Sequence, residues 1–283
     1  MTASSCQQAL QTAQTLGLDR LDAQLLLLHA LGKSDSQRAW LLTHDDEVLE
    51  AAVADVFGQL SLRRAAGEPL AYIVGYKEFF SFRLNVDARV LVPRPDTETL
   101  VHWSLDILQE PALALNPQIL DLGTGSGAIA IAIALSLQTA GRSATVYAVD
   151  ASAGALAVAS ENARRLRVDV QFIESDWLEN VSPQFHLIAS NPPYIASADP
   201  HLTALMHEPL QALTAGSDGL DDIQKIIAQV PGHLQPGGWL LLEHGYDQSD
   251  RVCELLVQQG FAQVQSRLDL AGIARCSGGQ WPK

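Results

Sequence analysis

Cysteine is scarce in this chain: there are three, Cys6, Cys253 and Cys276, and no CxxC pair. So odd and scattered a set excludes a disulfide framework and a cysteine-based zinc site, and suits a reducing cytoplasm. Basic residues are scarce too, 18 against 32 acidic ones, for a formal net charge of −14. The imbalance is uneven: residues 1–90 carry 11 acidic and 8 basic side chains (net −3), and residues 91–283 carry 21 and 10 (net −11). Such a field repels duplex DNA and attracts a basic protein partner. Long apolar runs are missing; Ala128 to Leu135, the longest, falls far short of the ~20 residues of a membrane span. The first residues, Met1 to Gln8, lack the charged head and apolar stretch of a signal peptide. These absences predict a soluble, cytoplasmic protein without membrane or direct nucleic-acid partners, and a monomer. What the chain does have is apolar: 47% hydrophobic and 18% charged over 283 residues. That is enough for about two domains with cores of their own.

Residues 1–75 read as helices only. Asp22 to Leu31 carries an apolar stripe, and Thr43 with Asp46 three residues on offers a capping-box start for a helix reaching about Arg64. No Gly-rich loop or acid–base cluster occurs there, so this part binds or positions something, or simply packs on the main domain. The pattern then changes. Phe80, Phe82, Leu84 and Val86 alternate with polar residues, as in a half-buried strand, and Val90-Leu91-Val92 reads as a second strand. Together they predict a β-hairpin linker over 76–93. From residue 94 onward helix and strand signals alternate. Asp96 or Thr97 can cap a helix through Leu108. Apolar strands are expected at 119–122, 145–149, 168–173, 186–189 and 239–242, with helices at 128–137, 152–166 and 220–230 between them. That order specifies an open parallel α/β sheet. Two further strand candidates, 261–268 and 272–276, predict an antiparallel edge.

The chemistry gathers at the expected strand tips. Asp121-Leu122-Gly123-Thr124-Gly125-Ser126-Gly127 ends the first strand and opens a helix, and glycines there let the backbone approach a ligand closely. The next strand ends in Asp150, a carboxylate suited to a ribose diol. Dinucleotide sites use GxGxxG with phosphate at the helix N-terminus. Here the run is GxGxG beside Asp121, poor company for phosphate and good company for a cationic ammonium. S-adenosylmethionine, which carries an ammonium, a sulfonium and a ribose, fits better than NAD. After the third strand, Trp177 could lie on a purine and Asp176 accept from its amine; the plainer alternative is a Trp on the sheet edge and a solvated Asp.

The sharpest signal is Asn191-Pro192-Pro193-Tyr194 after strand 186–189. Two prolines remove two backbone donors and fix φ, and both residues preceding a proline are biased to extended geometry. The stiff segment shows carbonyl oxygens, so a planar –NH2 group could donate to the Asn191 side-chain oxygen and the Pro192 carbonyl, with Tyr194 flat on its plane. An amide nitrogen held this way is pinned and its developing positive charge favoured, without a strong base. None of the eight histidines sits in that segment, and His186 reads as structural.

Several stretches together resemble the peptide chain release factor N5-glutamine methyltransferases, the PrmC/HemK family. They are the helical N-terminal region, Gly75-Tyr76-Lys77-Glu78-Phe79-Phe80, Val92-Pro93-Arg94-Pro95-Asp96-Thr97-Glu98, the 121–127 loop, Asp150, Asn191–Tyr194 and Leu242-Glu243-His244-Gly245. The resemblance implies a class I, Rossmann-like S-adenosylmethionine-dependent methyltransferase domain over 94–283, after a helical release-factor-binding domain (1–75) and the hairpin. It implies methyl transfer to the side-chain nitrogen of the glutamine in a release factor's GGQ motif. Residues Gly123–Gly127, Asp150, Trp177 and Asn191 would contact the cofactor and Asn191–Tyr194 the glutamine. Arg94 and Glu98 would orient substrate or pair with each other, and Glu208-Pro209-Leu210 would shape the mouth. Rival readings are a ribosomal protein glutamine methyltransferase, whose resemblance at 93–98 is looser, and an N6-adenine or N4-cytosine DNA methyltransferase, which the charge disfavours. A non-catalytic module keeping the fold is the remaining rival. The chain also carries its own Gly278-Gly279-Gln280, read as a chance tripeptide in a frayed tail.

Overall fold

The computed structural model describes residues 4–110 and 115–282. Contacts divide the chain into two compact units between Tyr76 and Lys77.

The first unit is helical: α1 (Cys6–Thr15), α2 (Arg20–Ala30), α3 (Arg38–Thr43), α4 (Ala51–Ala65) and α5 (Leu70–Val74). A capping box starts α1, with Ser5 accepting from the Gln8 amide while Gln8 returns to the Ser5 amide. Asp19 caps α2 by accepting from Leu21 and Asp22. Leu26, Leu27, Leu28 and Phe57 close the core, each burial stabilising by about 1.5–3 kcal/mol. The helix expected to start at Thr43 instead starts at Ala51. Thr43 ends α3, and its hydroxyl donates back to the Trp40 carbonyl at 3.0 Å. A threonine that bonds its own preceding turn has no oxygen directed at a following one.

The second unit opens with a tight hairpin, β1 (Tyr76–Phe79) and β2 (Phe82–Asn85). Phe80 and Ser81 form its turn with φ of +48° and +67°, the twist a two-residue hairpin needs. The alternation from Phe80 to Val86 therefore runs through a turn rather than along one strand, and Val90–Val92 forms no strand. Neither Phe nor Ser announces a left-handed turn pair, which is why the period-2 pattern concealed it. Helix α6 (Thr97–Leu108) follows where expected, although Asp96 makes no side-chain cap.

The sheet consists of β3 (Gln118–Leu122), β4 (Thr145–Asp150), β5 (Gln171–Glu174), β6 (Phe185–Ser190), β7 (Leu234–Glu243), β8 (Ala262–Leu268) and β9 (Ala274–Gln280). Between them lie α7 (Ala128–Thr139), α8 (Ala153–Leu166), α9 (Asp221–Gln229) and α10 (Ser249–Gln259). The spatial order is β5-β4-β3-β6-β7-β9-β8. Strands β3 to β7 pair in parallel, and β9 runs antiparallel to both its neighbours. The strands are apolar on both faces, with Leu120, Ile188 and Leu240 fully buried on one and Ile119, Leu187 and Leu241 on the other. Chain order reverses between β3 and β6, and the crevice at the carboxyl ends of such a reversal is where open α/β sheets take ligands.

The last strand departs from expectation. It reaches Gln280 and lies between β7 and β8, so β8 is the edge and Gly278-Gly279-Gln280 is sheet rather than frayed tail. A Cβ at Gly278 would sit 2.5 Å from the Leu241 side chain and 2.6 Å from the Leu240 carbonyl oxygen, so that site admits only glycine. The Gln280 amide donates to the Gly237 carbonyl at 2.9 Å and accepts from Gln263 at 2.7 Å.

Candidate functional site

The loop from β3 to α7 turns on Gly123, Gly125 and Gly127, whose φ values are +71°, +54° and +86°. Asp121 lies beneath it, fully buried. Its Oδ2 accepts from the Thr124 hydroxyl at 2.7 Å and the Ala130 amide at 3.1 Å, stapling the loop to the first turn of α7. Burial pushes its carboxyl up to about 7. Gly123 and Thr124 both donate to the Val149 carbonyl. Gly125 donates to Asp150 Oδ2 and Ser152 to Asp150 Oδ1, each at 2.9 Å. Burial raises the Asp150 pKa while those amides oppose the rise.

Above this loop opens a cavity of about 290 Å³. Gly123, Gly125, Asp150, Asp176, Trp177, Asn191 and Pro193 line it, together with Arg89, Pro209 and Asp222. Asp121, Thr124, Ser126 and Gly127 do not; they are the floor that shapes the loop. Trp177 stands at φ +48°, and its indole donates to Asp222 Oδ1 at 3.2 Å. A Cβ on Gly123 would come within 3.4 Å of that ring. Both Asp176 oxygens are taken by Lys225 Nζ, at 2.9 and 2.8 Å, so the acceptor expected for an amine is engaged in an ion pair.

The Asn-Pro-Pro-Tyr segment leaves β6 after Ser190, whose hydroxyl donates to the Leu122 carbonyl at 2.7 Å and ties the tips of β6 and β3. Asn191 Nδ2 donates to Thr97 Oγ1 at 3.1 Å. Among the described residues nothing donates to Asn191 Oδ1 or to the Pro192 carbonyl. A second cavity, of about 80 Å³, touches Arg94, Asn191, Pro192, Tyr194 and Leu213; Leu91, Asn191 and Ala212 line both cavities. Asn191 thus stands where they meet. Tyr194 packs on the core of this unit and its hydroxyl donates to Glu243 Oε1 at 3.3 Å. Burial raises the Tyr194 hydroxyl pKa and pushes the Glu243 carboxyl up to about 7. Arg94 and Glu98 do not pair: Arg94 bonds Glu208 at 2.5 Å, while Glu98 accepts from the Phe80 amide at 3.0 Å. Glu208 also accepts from the Val92 amide. His186 accepts from the Gln118 amide, a structural part.

Four residues that sequence reading did not place in the site, Thr97 having been read only as a helix-cap candidate, help hold it. Asn162, on the buried face of α8, bonds both backbone groups of Asn85 and the Ser126 carbonyl. Its signal was a lone amide among Ala155, Val158, Ala159 and Ala163. Asp222 carried no signal. Thr97 and Glu243 lay inside quoted motifs but read as context.

The sheet order, the Gly-rich turn after β3 and the carboxylate ending β4 define the class: this is a class I methyltransferase domain. The crystal structure of a methyltransferase from Pyrococcus furiosus shares the fold at a TM-score of 0.51, being 17% identical and matching 71% of this chain and 89% of its own. Residues 104–266 match the Methyltransferase small domain, and residues 4–75 match the PrmC N-terminal domain. Two proteins named release factor glutamine methyltransferase are similar along nearly their whole length. That of Bordetella pertussis is 48% identical over 267 residues (93% of this chain, 95% of the relative), and that of Burkholderia pseudomallei 46% over 275 (94% and 93%). The chain belongs to the release factor glutamine methyltransferase family.

Proposed function

We propose that this chain methylates the side-chain nitrogen of the glutamine in the GGQ motif of a peptide chain release factor, with S-adenosylmethionine as donor. The larger cavity suits that donor by its chemistry. Asp150 and Asp222 line it with Asp176, whose charge Lys225 already pairs, and the one guanidinium in the lining, Arg89, is held by Asp87 at 2.6 Å. That set favours a cation and a ribose and disfavours phosphate. Asp150 and the close-lying backbone of Gly123 and Gly125 would flank the ribose and amino-acid end, and Trp177 would flank the base. When bound, the donor supplies a methyl group already activated by a sulfonium.

The observation that carries the proposal is the pair of unengaged acceptors, Asn191 Oδ1 and the Pro192 carbonyl, on two residues that line the smaller cavity, Asn191 lining the larger one as well. A carboxamide nitrogen is a weak nucleophile because its lone pair is delocalised. Two fixed acceptors for its two N–H groups restrict the nitrogen and stabilise positive charge growing on it. The acidic surface suits a basic protein segment better than DNA, and residues 1–75 would help hold the release factor.

The test incubates the protein with labelled donor and separate pools of release factor, ribosomal protein and DNA, and locates the label by mass spectrometry. Label on the release-factor glutamine is expected; label confined to ribosomal protein or DNA overturns the proposal. Asn191→Ala should lower kcat by about 10²–10³-fold, the scale of losing one transition-state hydrogen-bond partner, while donor binding persists.

A further inference from the structure

The clamp works only if Asn191 turns its oxygen, not its nitrogen, toward the substrate. An asparagine amide has nearly the same shape either way round, yet flipped it would present two donors to a group that itself must donate. Thr97 is the side chain that decides: Asn191 Nδ2 donates to its Oγ1 at 3.1 Å. A hydroxyl can give as readily as accept, so the outcome depends on where the Thr97 proton goes. Thr97 is 3% exposed, and its oxygen completes no bond among the described residues besides that from Asn191.

The complementary vacancy lies on β7. Glu243 is 1% exposed; its Oε1 accepts from Tyr194, and its Oε2 has no completed hydrogen bond. The Thr97 hydroxyl is near enough to this carboxylate to favour its ionised form, although no completed hydrogen bond joins them. A donor without an acceptor thus faces an acceptor without a donor, both out of reach of water.

We propose that Glu243 and Thr97 are positioning residues for methyl transfer. The Glu243 carboxylate accepts a hydrogen bond from the Thr97 hydroxyl, which obliges Thr97 to accept from Asn191 and so fixes Asn191 Oδ1 toward the substrate amide. The inference rests on the role given to Asn191 above. A proton on Glu243 reverses the relay, since the acid donates to Thr97 and the threonine hydroxyl is then free to attract the Asn191 oxygen. The other ionisable groups facing Glu243 are Tyr194, Cys276, Asp96 and Arg275, with His244 next along the chain. Burial keeps Tyr194 and Cys276 protonated and lowers the His244 pKa. Asp96 and Arg275 pair with each other at 3.3 Å.

The experiment compares wild type, Thr97→Val, Thr97→Ser and Glu243→Gln for kcat on the release-factor substrate between about pH 5.5 and 8.5, with donor affinity and thermal unfolding measured alongside. Thr97→Val keeps the shape and loses the hydroxyl. It should lower kcat by about 10- to 100-fold with donor affinity unchanged, and Thr97→Ser should restore most of the rate. Wild-type kcat should fall toward acid pH with a midpoint near Glu243's value, and this limb should vanish in Thr97→Val and Glu243→Gln. Near-normal kcat in folded Thr97→Val, or an acid limb that survives in Glu243→Gln, overturns the relay. So does an acid limb that survives in Thr97→Val, or a serine variant as slow as the valine one. A wild type that labels no glutamine at all instead overturns the proposed function, and this inference with it.

Discussion

Alanine placed at Gly127 and at Gly125 should have different consequences, although both glycines lie in one loop with positive φ. At Gly127, φ is +86°, and a Cβ would stand 2.7 Å from Ile131 Cδ1 and 3.2 Å from Ala159 Cβ. The left-handed backbone costs an L-residue about 1–2 kcal/mol, and forcing a methyl between α7 and α8 about 1–3 kcal/mol more. The sum, about 2–5 kcal/mol, corresponds to a Tm drop of roughly 4–20 °C for a unit of this size. At Gly125, φ is +54°, a Cβ meets nothing within 4 Å, and the residue lines the larger cavity. Only the backbone cost of about 1–2 kcal/mol remains there, but the methyl takes space the donor needs and should weaken its binding by roughly tenfold or more. Calorimetric unfolding of both variants, with donor titration of each, separates the two effects. A Gly127→Ala variant no less stable than Gly125→Ala would show that α7 and α8 are not in contact through that glycine.

Two further outcomes follow from the carboxylates. Asp150→Ala should weaken donor binding by about 10- to 100-fold, since a charged hydrogen-bond partner contributes about 1.5–3 kcal/mol; unchanged affinity by titration calorimetry would remove Asp150 from the ribose site. Glu243 holds its proton more tightly folded than unfolded, its pKa rising from the ordinary 4.5 to about 7. Its contribution to stability is therefore present at low pH and lost as pH rises through that window, about 3 kcal/mol in all. Glu243→Gln abolishes the titration, so the Tm of the variant relative to wild type should increase from pH 5 to pH 7.5 (about one Glu's worth of linkage). A difference that stays flat would contradict it. His186 and His244, whose pKa values burial lowers, affect both proteins alike and cancel in the difference.

Much of the second unit was legible because its strands are apolar on both faces and its helices begin at recognisable punctuation. Ser152, for instance, caps α8 as its position suggests. The loop glycines and the segment at Asn191 were legible for the same reason: glycine frees the backbone and proline restricts it, and either can be read from one letter. The turn at Phe80–Ser81 was not, because tertiary context forces those residues into a conformation their own preferences avoid. The Thr43 cap failed because a local side-chain bond competed with the helix start. Strand β9 was cut short because Gly278 and Gly279 look like loop residues until their crowded neighbours are known. Asp222 and Asn162 act through contacts far away in sequence (Trp177, and Asn85 with Ser126), and no local pattern encodes such partners.

The position of β9 constrains how the sheet is assembled. During synthesis β8 leaves the ribosome before the strand it pairs with, and β7 waits with one side uncovered until the same late segment arrives. Neither can close earlier, so the far edge of the sheet is the part of this unit most open to misassociation in a nascent chain. A premature stop between Leu268 and Ala274 would leave the glycine turn and Asn191 fully encoded, yet deliver a protein with the apolar strand β7 laid bare along one side.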